Sequence, residues 1–507
     1  MMAATGMRQE LLFSDLLAGI FDLSAELDFV VSGLCLDSRK LKAGDIFLAC
    51  AGQTVHGLDY VDEVISQGAR AVLWETTPEL DTIPLNWQES PHGLPIPLIA
   101  IPELSNKVGV FADRFYGHPS GAMFVTGFTG TNGKTSCSQY LAQILDMDAP
   151  CGVIGTIGAG LYKALNTSSH TTPDALSCHA LLADMLEQGA KSVVLEVSSH
   201  ALEQGRVNGI EFDCAVFTNL SRDHLDYHGD MQAYAAAKAG LFKFAGLQHA
   251  VINHDDEFGR ELRQAISNEL EVLSYGFDTT YGQPDIFADK LTLTASGVGF
   301  HVQTPWGTGD VSAQVLGRFN ASNLLAVLGV LLAHGMPLAT ALQGLTMVKP
   351  VPGRMECFQQ AGQALVVVDY AHTPDALEQV LQALRAHCRG RLWCVFGCGG
   401  DRDQGKRPLM GEIAERLADK TILTNDNPRS EQAHDIIEQI LDGCKDRQGC
   451  TIIEDRAKAI ATAIQSASAE DIVLIAGKGH EDYQLIGEQR LEFSDTIEVR
   501  KSLGMVS

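Results

Sequence analysis

A glycine-rich turn between an apolar strand and an apolar helix constrains the fold of this chain more than any other feature. The strand Met123–Thr126 leads into Thr129-Gly130-Thr131-Asn132-Gly133-Lys134-Thr135, and a mostly apolar stretch of helical character follows. Glycines let backbone N–H groups turn toward phosphate oxygens, and the helix N-terminus adds a favourable dipole. Lys134 is therefore predicted to neutralise the phosphates of a nucleotide, and the Thr135 hydroxyl to bind Mg²⁺. The alternative is an ordinary tight turn, because Phe128 stands where the common phosphate-loop pattern has glycine.

The rest of the chain divides into segments with the same strand–helix alternation. A length of 507 residues is too great for one core, and we expect domains at 1–99, 100–348 and 349–507. Buried-strand candidates separated by helical stretches predict an α/β protein with parallel sheets. In the second segment these candidates are Ser192–Leu195, Ala215–Thr218 and Ala250–Asn253, and in the third they are Leu365–Val368, Leu392–Phe396, Thr421–Leu423 and Ile472–Ile475. The alternation from Ile286 to Val315 predicts antiparallel hairpins appended to the second sheet.

Charge and apolar runs exclude several classes of protein. A formal net charge of −26 opposes nonspecific binding of nucleic acid. No run approaches the roughly 20 apolar residues of a membrane span, and Glu10 and Asp15 interrupt the apolar residues of the N-terminus, unlike a signal peptide. The 12 cysteines contain no CxxC pair, which is typical of reduced, buried thiols. We expect a cytoplasmic protein without a membrane span, and a monomer.

Polar groups that follow two of the predicted strands suggest a metal-bound nucleotide. Glu196 ends the strand Ser192–Leu195, where a carboxylate can serve as an oxygen ligand. Arg222, Asp223, His224, Asp226 and His228 crowd into seven positions, and His224 is the predicted metal ligand among them. For any one of these side chains, a solvated loop position is the alternative. Lys238, on a predicted helix Met231–Phe244 capped by Asp230, is by composition alone most simply a surface lysine.

The TGTNGKT loop resembles the nucleotide loop of the Mur ligases, a family related to the folylpolyglutamate synthases. Further motifs follow that family's order: Leu36-Asp37-Ser38-Arg39, Gly353-Arg354-Met355-Glu356, Asp369-Tyr370-Ala371-His372-Thr373-Pro374 and Asp426-Asn427-Pro428-Arg429. The resemblance covers nearly the whole chain. It implies a uridine-nucleotide-binding N-terminal domain, a central P-loop-type ATPase domain with a parallel sheet, and a Rossmann-like C-terminal domain that binds an amino acid. It also implies amide-bond formation through an acyl phosphate, with ADP and phosphate as products.

The same resemblance assigns the ATP and metal contacts. Lys238 matches the lysine that these ligases carry as a carbamate, a group that could ligate or position a second Mg²⁺. Together with Thr135, Glu196 and His224 it forms the implied metal set. Arg354, Asp369 and His372 are expected from the third domain as catalytic residues beside Lys134. Asn320 and Asn323 are expected at the adenine, although helix-capping is an alternative for Asn320. The implied ATP-binding residues are Gly130, Thr131, Asn132, Gly133, Lys134, Thr135, Ser136, Asn320 and Asn323.

The DNPR motif is similar to that of the Mur ligases that add meso-diaminopimelate rather than L-lysine. Diaminopimelate has a second carboxylate at its distal end, which a guanidinium can bind through two hydrogen bonds. The implied amino-acid site comprises Arg402, Asp426, Asn427, Pro428, Arg429, Gly477 and Glu481. A site built for that carboxylate should reject lysine, because an arginine would be left unpaired. Structural ion pairs with the nearby aspartates are the alternative for both arginines.

The implied co-substrate is UDP-N-acetylmuramoyl-L-alanyl-D-glutamate, a peptidoglycan precursor. Its expected contacts are Leu36, Ser38, His170, Thr171, Thr172, Ser198, Gln204 and Arg206. Three other functions stay open. They are the same ligation with L-lysine, a folylpolyglutamate synthase-like ligation, and nucleotide sensing by an ATP-binding regulator without ligase activity. The LDSR segment argues against the second, and Glu196, His224 and Lys238 would be superfluous in the third.

Overall fold

The computed structural model describes residues 10–52, 54–78, 80, 87–89, 95–167, 170–266, 269–294 and 297–505. These residues form three α/β domains in chain order, each built on its own sheet. The α/β class and the three-domain organisation predicted from the sequence are confirmed. Within the described ranges, no helix has both the length and the apolar character that crossing a membrane requires.

The first domain contains a mainly parallel sheet with the strand order β1-β2-β3-β5-β4, in which β4 runs antiparallel to β5. The third helix of this domain buries Leu104, Val108 and Phe111 in the same core as the strand residue Ile46. The expected boundary after residue 99 falls inside β5, so the first domain extends through α3. Much of the proline-containing stretch 76–97 lies outside the described residues. The elements are β1 Leu34–Cys35, β2 Ile46–Ala49, β3 Ala71–Glu75, β4 Trp87–Glu89, β5 Pro95–Ile101, α1 Phe13–Leu16, α2 Val61–Ser66 and α3 Leu104–Tyr116.

The second domain contains a sheet in the order β15-β14-β13-β12-β11-β10-β6-β9-β7-β8, and its central strands are parallel. The hairpins expected after Ile286 are confirmed as antiparallel pairs of β13 with β14 and of β14 with β15. The strands are β6 Phe124–Thr129, β7 Cys151–Gly155, β8 Gly158–Leu161, β9 Ser192–Glu196, β10 Cys214–Phe217, β11 His249–Asn253, β12 Glu271–Gly276, β13 Ile286–Thr294, β14 Gly297–Thr304 and β15 Gly307–Ala313. The helices are α4 Lys134–Leu145, α5 Ala175–Glu187, α6 Ser199–Glu203, α7 Leu225–His228, α8 Met231–Ala239, α9 Glu257–Ala265, α10 Arg318–Ala333 and α11 Leu338–Met347.

The third domain contains a sheet in the order β16-β17-β21-β18-β19-β20, parallel except for β16, and a separate hairpin of β22 and β23. The helix after β17 begins as its sequence predicts, with the Thr373 hydroxyl accepting from the Ala376 amide and proline at the first helical position. The strands are β16 Glu356–Phe358, β17 Leu365–Asp369, β18 Leu392–Phe396, β19 Lys420–Leu423, β20 Cys450–Ile452, β21 Ile472–Ala476, β22 Tyr483–Ile486 and β23 Gln489–Glu492. The helices are α12 Pro374–His387, α13 Lys406–Leu417, α14 Ala433–Leu441, α15 Arg456–Ser466 and α16 Asp495–Leu503.

Both larger sheets are covered on their two faces, which explains their continuous apolar strands. Along β17, Leu365 and Val367 point into one core of the third domain, whereas Val366 and Val368 point into the other. The period of two follows from the pleat of a strand. Because the central strands are buried on both faces, most of their side chains are apolar, and a few small polar residues such as Thr126 and Ser274 are buried among them. The chemistry of such a sheet therefore collects in the loops at the carboxyl ends of its strands.

Candidate active site

The phosphate loop leaves β6 at the carboxyl edge of the central sheet. Gly130 and Gly133 have φ values of 146° and 89°, a region open to glycine. A Cβ at Gly130 would lie 1.9 Å from Thr218 Oγ1, so a side chain there is excluded by contact as well as by conformation. Phe128 still lies within β6, pairs with Glu196 of β9 and is fully buried. Phe128 can therefore stand where the common loop pattern has glycine, because at this position the chain is still part of the strand and has not yet entered the turn.

Lys134 is the first residue of α4, and its ammonium contacts the loop itself. Lys134 Nζ donates to Gly130 O at 2.7 Å and to Thr131 O at 3.0 Å. Burial in the cleft lowers the pKa of Lys134, against the opposing attraction of Glu196. Asn219, which the sequence reading missed, supports the loop by accepting from the amides of Thr131 and Asn132. It follows strand β10, so the rule that polar groups gather at strand ends could have identified it.

Glu196 is a fully buried carboxylate in contact with the loop. Its Oε2 accepts from Thr135 Oγ1 at 2.7 Å and from Thr156 Oγ1 at 3.1 Å, and its Oε1 accepts from the Thr156 amide at 2.8 Å. The predicted proximity of Glu196 to Thr135 is therefore found. Thr156 was missed, although it follows strand β7 at the same edge of the sheet. Two carboxylate oxygens and two hydroxyl oxygens make a donor set of the kind that Mg²⁺ prefers.

Lys238 is buried, with 1% of its surface exposed, so the reading as a surface lysine is wrong. Lys238 Nζ donates to Gly130 O at 2.9 Å and lies 4.2 Å from the centre of the Tyr234 ring. Burial holds the pKa of Lys238 well below its usual value, and the neighbouring Lys134 lowers it further. The helix Met231–Ala239 thus places the Lys238 amine against the phosphate loop, and Asp230 caps that helix as predicted.

Histidines that follow β9 and β10 form an aromatic cluster beside these groups. The rings of His200 and His224 are 4.9 Å apart, and those of His200 and His228 are 5.3 Å apart. His228 is held between Ser199 Oγ at 2.9 Å and Glu203 at 3.0 Å, with 1% of its side chain exposed, so it is no solvated loop residue. His224 is 48% exposed and has a φ of 55°. Among the described residues, no group of three or more His, Cys, Asp or Glu side chains is arranged so that it could hold a metal ion by itself.

The third domain contributes to the same cleft. Arg354 Nη2 donates to Thr135 Oγ1 at 3.3 Å, and its guanidinium lies 4.5 Å from the centre of the Tyr370 ring. Asp369 accepts from the amides of Met355 and Ala371, each at 2.8 Å, which fixes the turn that carries Arg354. Burial raises the pKa of Asp369, against the opposing attraction of Arg354.

A cavity of about 290 Å³ joins these groups, and residues of the central and third domains line it. Predicted residues on its wall are Thr131, Asn132, Gly133, Lys134, Thr135, Ser136, Thr171, Glu196, Ser198, His224, Asn320, Asn323, Arg354, Asp369 and His372. Lining residues that were not predicted from the sequence as site residues are Thr156, Asp223, Phe319, Met355, Tyr370, Ala371, Thr373, Ala376, Gln379 and Val380. The aromatic and apolar members carry no sequence signal of their own, because they resemble core residues.

The two asparagines of α10 are buried neighbours. Asn320 Oδ1 accepts from Asn323 Nδ2 at 3.1 Å and from Tyr140 OH at 3.2 Å, while Asn320 Nδ2 donates to Leu316 O at 2.9 Å. Gly317, not Asn320, is the N-cap of the helix. Asn320 is therefore no N-cap, and the adenine contact remains a prediction.

The residues expected at the nucleotide-sugar substrate separate into two places. Thr172 Oγ1 donates to Glu196 O at 2.7 Å, and Arg206 Nη1 donates to Thr172 O at 2.9 Å. Arg206 Nε also donates to Gln204 Oε1 at 2.9 Å, so this group adjoins the cavity. Leu36 and Ser38 lie in the first domain and His170 is exposed, and none of the three lines the cavity.

The loops expected to select the amino acid meet at the carboxyl end of the third sheet. A Cβ built on Gly399 would lie 2.9 Å from Arg429 Nη1 and 3.8 Å from Arg402 Cγ, which places both arginines against the same glycine. Arg429 Nη1 donates to Gly400 O at 2.7 Å, and Arg402 Nη1 to Asp401 O at 2.9 Å. Among the described residues neither arginine is within 4.0 Å of a carboxylate, so the structural ion pairs considered from the sequence are not formed.

The remaining loop brings Glu481 to the DNPR motif. Glu481 Oε2 accepts from Asn427 Nδ2 at 2.9 Å and from Lys478 Nζ at 2.8 Å. Lys478 Nζ also donates to Asn427 Oδ1 at 3.0 Å, and Lys478 is fully buried. A Cβ at Gly477 would lie 2.6 Å from Asp426 Oδ2. The predicted residues of these three loops are thus brought together, and Lys478 is an additional member.

Comparisons with known proteins give the same domain order. Residues 30–115, 128–331 and 353–479 match "Mur ligase family, catalytic domain", "Mur ligase middle domain" and "Mur ligase, glutamate ligase domain". The chain is 48% identical over 484 residues, 95% of its length and 97% of the relative's, to the UDP-N-acetylmuramoyl-L-alanyl-D-glutamate–2,6-diaminopimelate ligase of Alkalilimnicola ehrlichii. It is 44% identical over 502 residues, 99% of its length and 100% of the relative's, to the enzyme of the same name from Vibrio vulnificus.

Solved structures of other proteins show the same fold. A structure of a ligase with that name superposes with a TM-score of 0.71 at 37% identity, covering 98% of this chain and 99% of the other. A Mycobacterium tuberculosis folylpolyglutamate synthase superposes with a TM-score of 0.60 over 72% of this chain and 91% of the other, and its 18% identity shows the fold alone.

Proposed function

Since the chain belongs to the Mur ligase family of ATP-dependent, amide-forming ligases, we propose that it adds meso-diaminopimelate to UDP-N-acetylmuramoyl-L-alanyl-D-glutamate in peptidoglycan precursor synthesis. The relatives that match over nearly their whole length carry the name of that ligase. One observation carries the assignment of the amino acid, namely that the Arg429 guanidinium and the side-chain stem of Arg402 lie beside the same residue, Gly399. Because ATP and a nucleotide-linked precursor are the substrates, we place the reaction in the cytoplasm.

The first step proposed is phosphorylation of the D-glutamate side-chain carboxylate. A carboxylate oxygen attacks the γ-phosphorus of ATP, the bond to the β-γ bridging oxygen breaks, and ADP leaves an acyl phosphate. Lys134 and Arg354 offset the negative charge that gathers on the transferring group. Since Arg354 comes from the third domain and donates to Thr135 of the phosphate loop, domain closure and phosphoryl transfer are coupled.

We propose that Thr135, Glu196, His224 and Lys238 as a carbamate hold Mg²⁺, in two sites. The oxygen donors around Glu196 fit such a hard cation. When bound, Mg²⁺ would screen phosphate charge and orient the phosphate oxygens. The adenine is assigned to Asn320 and Asn323, which line the cavity on its α10 side.

Carbamate formation on Lys238 is favoured by the state of its amine. Only a neutral amine reacts with CO₂, and burial together with Lys134 lowers the pKa of Lys238 well below its usual value. The nitrogen lone pair attacks the carbon of CO₂, a proton leaves the nitrogen for solvent, and an anionic carbamate results. A buried neutral amine is thereby replaced by an anion beside Lys134, and the two groups then attract each other.

The second step joins the amine to the activated carboxyl group. The amine of diaminopimelate attacks the acyl carbon, and the tetrahedral intermediate collapses to amide and phosphate with loss of a proton from nitrogen. We propose that Arg402 and Arg429 bind the distal carboxylate and that Glu481, seated by Asn427 and Lys478, accepts from the distal ammonium. Lysine has no distal carboxylate, so it would leave a guanidinium desolvated without compensation.

We assign the nucleotide-sugar substrate to residues of the first two domains. Leu36 and Ser38 are proposed for the uracil nucleotide, and Thr171, Thr172 and Ser198 for the sugar-peptide. Arg206, seated by Gln204, would offset the pyrophosphate charge. His170 completes the proposed set.

The assay mixes the protein with ATP, Mg²⁺ and UDP-N-acetylmuramoyl-L-alanyl-D-glutamate, and measures phosphate release against a panel of amino acids. We expect release with meso-diaminopimelate and at least about a hundredfold less with L-lysine. Equal release with lysine would reject the proposed selectivity, and release without any amino acid would point to an ATPase or regulator.

Arg429→Ala tests the assigned contact directly. Loss of a charge-assisted pair should raise the KM for diaminopimelate by roughly 10- to 100-fold, about 1.5–3 kcal/mol, while the KM for ATP stays within about twofold. Arg416→Ala is the matched control, because Arg416 forms an exposed ion pair with Glu378 on the same domain. Equal changes in both KM values would contradict direct contact.

A further inference from the structure

A fully buried arginine lies beneath the loops that carry Arg402 and Arg429. Arg407, on α13, has no exposed surface. Its Nη1 and Nη2 donate to Glu431 Oε2 at 2.7 Å and to Oε1 at 2.9 Å, which is a two-point ion pair. Arg407 Nη2 also donates to Gly399 O at 3.1 Å. One guanidinium therefore binds the glycine against which both proposed selectivity arginines rest and a carboxylate two residues after Arg429.

Glu431 extends the connection to the other loop. Its Oε1 accepts from the Asp401 amide at 2.6 Å, and the Asp401 carboxylate accepts from Ser430 Oγ at 2.6 Å and from the Ser430 amide at 3.2 Å. Residues 399–401 and 429–431 are thus joined by several hydrogen bonds that share the Arg407–Glu431 pair. The mutual hydrogen bonds raise the pKa of Arg407 and lower that of Glu431, so both stay charged near neutral pH.

Backbone conformation at both loops requires such support. Asp401 and Arg429 have φ values of 52° and 53°, in the left-handed region that non-glycine residues rarely adopt. A conformation of this kind costs about 1 kcal/mol or more and persists where surrounding contacts fix it. The two strained residues are Arg429 itself and the neighbour of Arg402. The strained backbone therefore lies at, or next to, the two arginines that are proposed to bind the carboxylate.

We propose that the Arg407–Glu431 pair is a positioning device that sets the separation of the Arg402 and Arg429 guanidinium groups, and with it the preference for an amino acid bearing a distal carboxylate. This inference rests on the proposed function. Neither Arg407 nor Glu431 touches substrate in it. Two guanidinium groups that both donate to one carboxylate must be spaced to match it, and a misplacement of about 1 Å can lower the rate on the order of 100-fold. Rigid support beneath the loops supplies that match.

Glu431→Gln provides the test. Glutamine keeps the size and one accepting oxygen, but it removes the charge and one of the acceptors shared by Arg407 and the Asp401 amide. We expect the KM for meso-diaminopimelate to rise roughly tenfold, whereas the KM for ATP and kcat at saturating diaminopimelate stay within about twofold. The preference for diaminopimelate over L-lysine, as a ratio of kcat/KM values, should fall by a similar factor.

Two further variants keep the outcome decisive. Asp401→Asn loosens the contact to Ser430 without altering the buried pair, and it should shift the same KM in the same direction by a smaller factor; it replaces Glu431→Gln if that variant does not fold. Arg416→Lys is the control, because Arg416 lies on the same helix and pairs with Glu378 at 2.8 Å instead of with the loops. This control should change neither the KM for diaminopimelate nor the KM for ATP.

The inference is overturned if Glu431→Gln or Asp401→Asn lowers the melting temperature but leaves both the KM for diaminopimelate and the selectivity ratio unchanged. The pair would then only stabilise the third domain. A wild-type protein that uses lysine as well as diaminopimelate would instead reject the proposed function, so the two failures are distinguishable.

Discussion

Replacing Asp375 with asparagine should slow the reaction by weakening the contact between the third domain and the phosphate loop. Asp375 lies in the first turn of α12, and its Oδ2 accepts from Ser221 Oγ at 2.9 Å and from Asn132 Nδ2 at 3.2 Å. Both donors belong to the central domain, and Asn132 is part of the phosphate loop. Arg354 reaches Thr135 across the same boundary. Asp375 thus helps to join the two domains between which Arg354 contacts Thr135.

The magnitude follows from the two hydrogen bonds. A hydrogen bond to a charged group contributes about 1.5–3 kcal/mol when well formed, and Asp375 is half-buried, so we take about 1 kcal/mol for each of these. Their loss would raise the barrier by about 2 kcal/mol, which corresponds to roughly a 30-fold fall in kcat. Asparagine retains one accepting oxygen, so a fall between about fivefold and 30-fold is expected.

The assay is steady-state ADP release at saturating substrates, accompanied by the affinity for ATP measured without the other substrates. ATP affinity should change by less than about threefold, because Asp375 does not line the cavity. A double-mutant cycle with Ser221→Ala should give a coupling of about 1 kcal/mol, since the two side chains share one bond. Asp435→Asn is the control, because it changes an exposed acid in the first turn of α14. An unchanged kcat, or strictly additive effects of Asp375→Asn and Ser221→Ala, would refute the role of the contact.

Two other predictions concern the phosphate loop and the amino-acid loops. Lys238→Ala should lower kcat at least about a hundredfold without unfolding the protein, and acetate should restore part of the activity because it supplies a carboxylate in the vacated space; wild-type activity would contradict the carbamate. Gly399→Ala should raise the KM for diaminopimelate roughly tenfold, because the new Cβ would lie 2.9 Å from Arg429 Nη1 and displace that guanidinium. An unchanged KM in titrations with diaminopimelate would place Arg429 outside the site.

The strand–loop–helix units could be predicted well from the local sequence. The strands predicted around Val194, Val216 and Val251 were confirmed within a residue or two, because continuous apolar runs bounded by polar loops are typical of strands buried on both faces. The phosphate loop followed from two glycines and Gly133-Lys134-Thr135, whose roles depend on backbone conformation and helix position. The boundary of the first domain was harder to predict, because β5 and α3 pack across the expected division at residue 99.

The burial of several charged side chains could not be predicted from the sequence, because it depends on contacts between distant parts of the chain. Composition favours an exposed position for Lys238, Arg407 and Arg456, yet all three are buried. For the two arginines, carboxylates far along the chain compensate the loss of hydration. Arg456 pairs with Asp495, 39 positions away, and Arg407 with Glu431, 24 positions away. Such pairs have no periodicity to reveal them. The resemblance to a family identified Lys238 as unusual, but it did not indicate the ion pair beneath the loops that are proposed to select the amino acid.

The placement of two lysines on one carbonyl explains why carbamate formation would suit this site. Lys134 Nζ and Lys238 Nζ donate to the same Gly130 oxygen, at 2.7 Å and 2.9 Å. With both amines protonated, two cations would face each other in a site from which Lys238 has lost nearly all its water, and Lys134 accordingly lowers the pKa of Lys238. Deprotonation of Lys238 relieves that repulsion, and reaction of the neutral amine with CO₂ gives the side chain a negative charge. An anionic carbamate beside Lys134 is attractive, so the protein's own charges would favour the modified lysine before any nucleotide or metal binds.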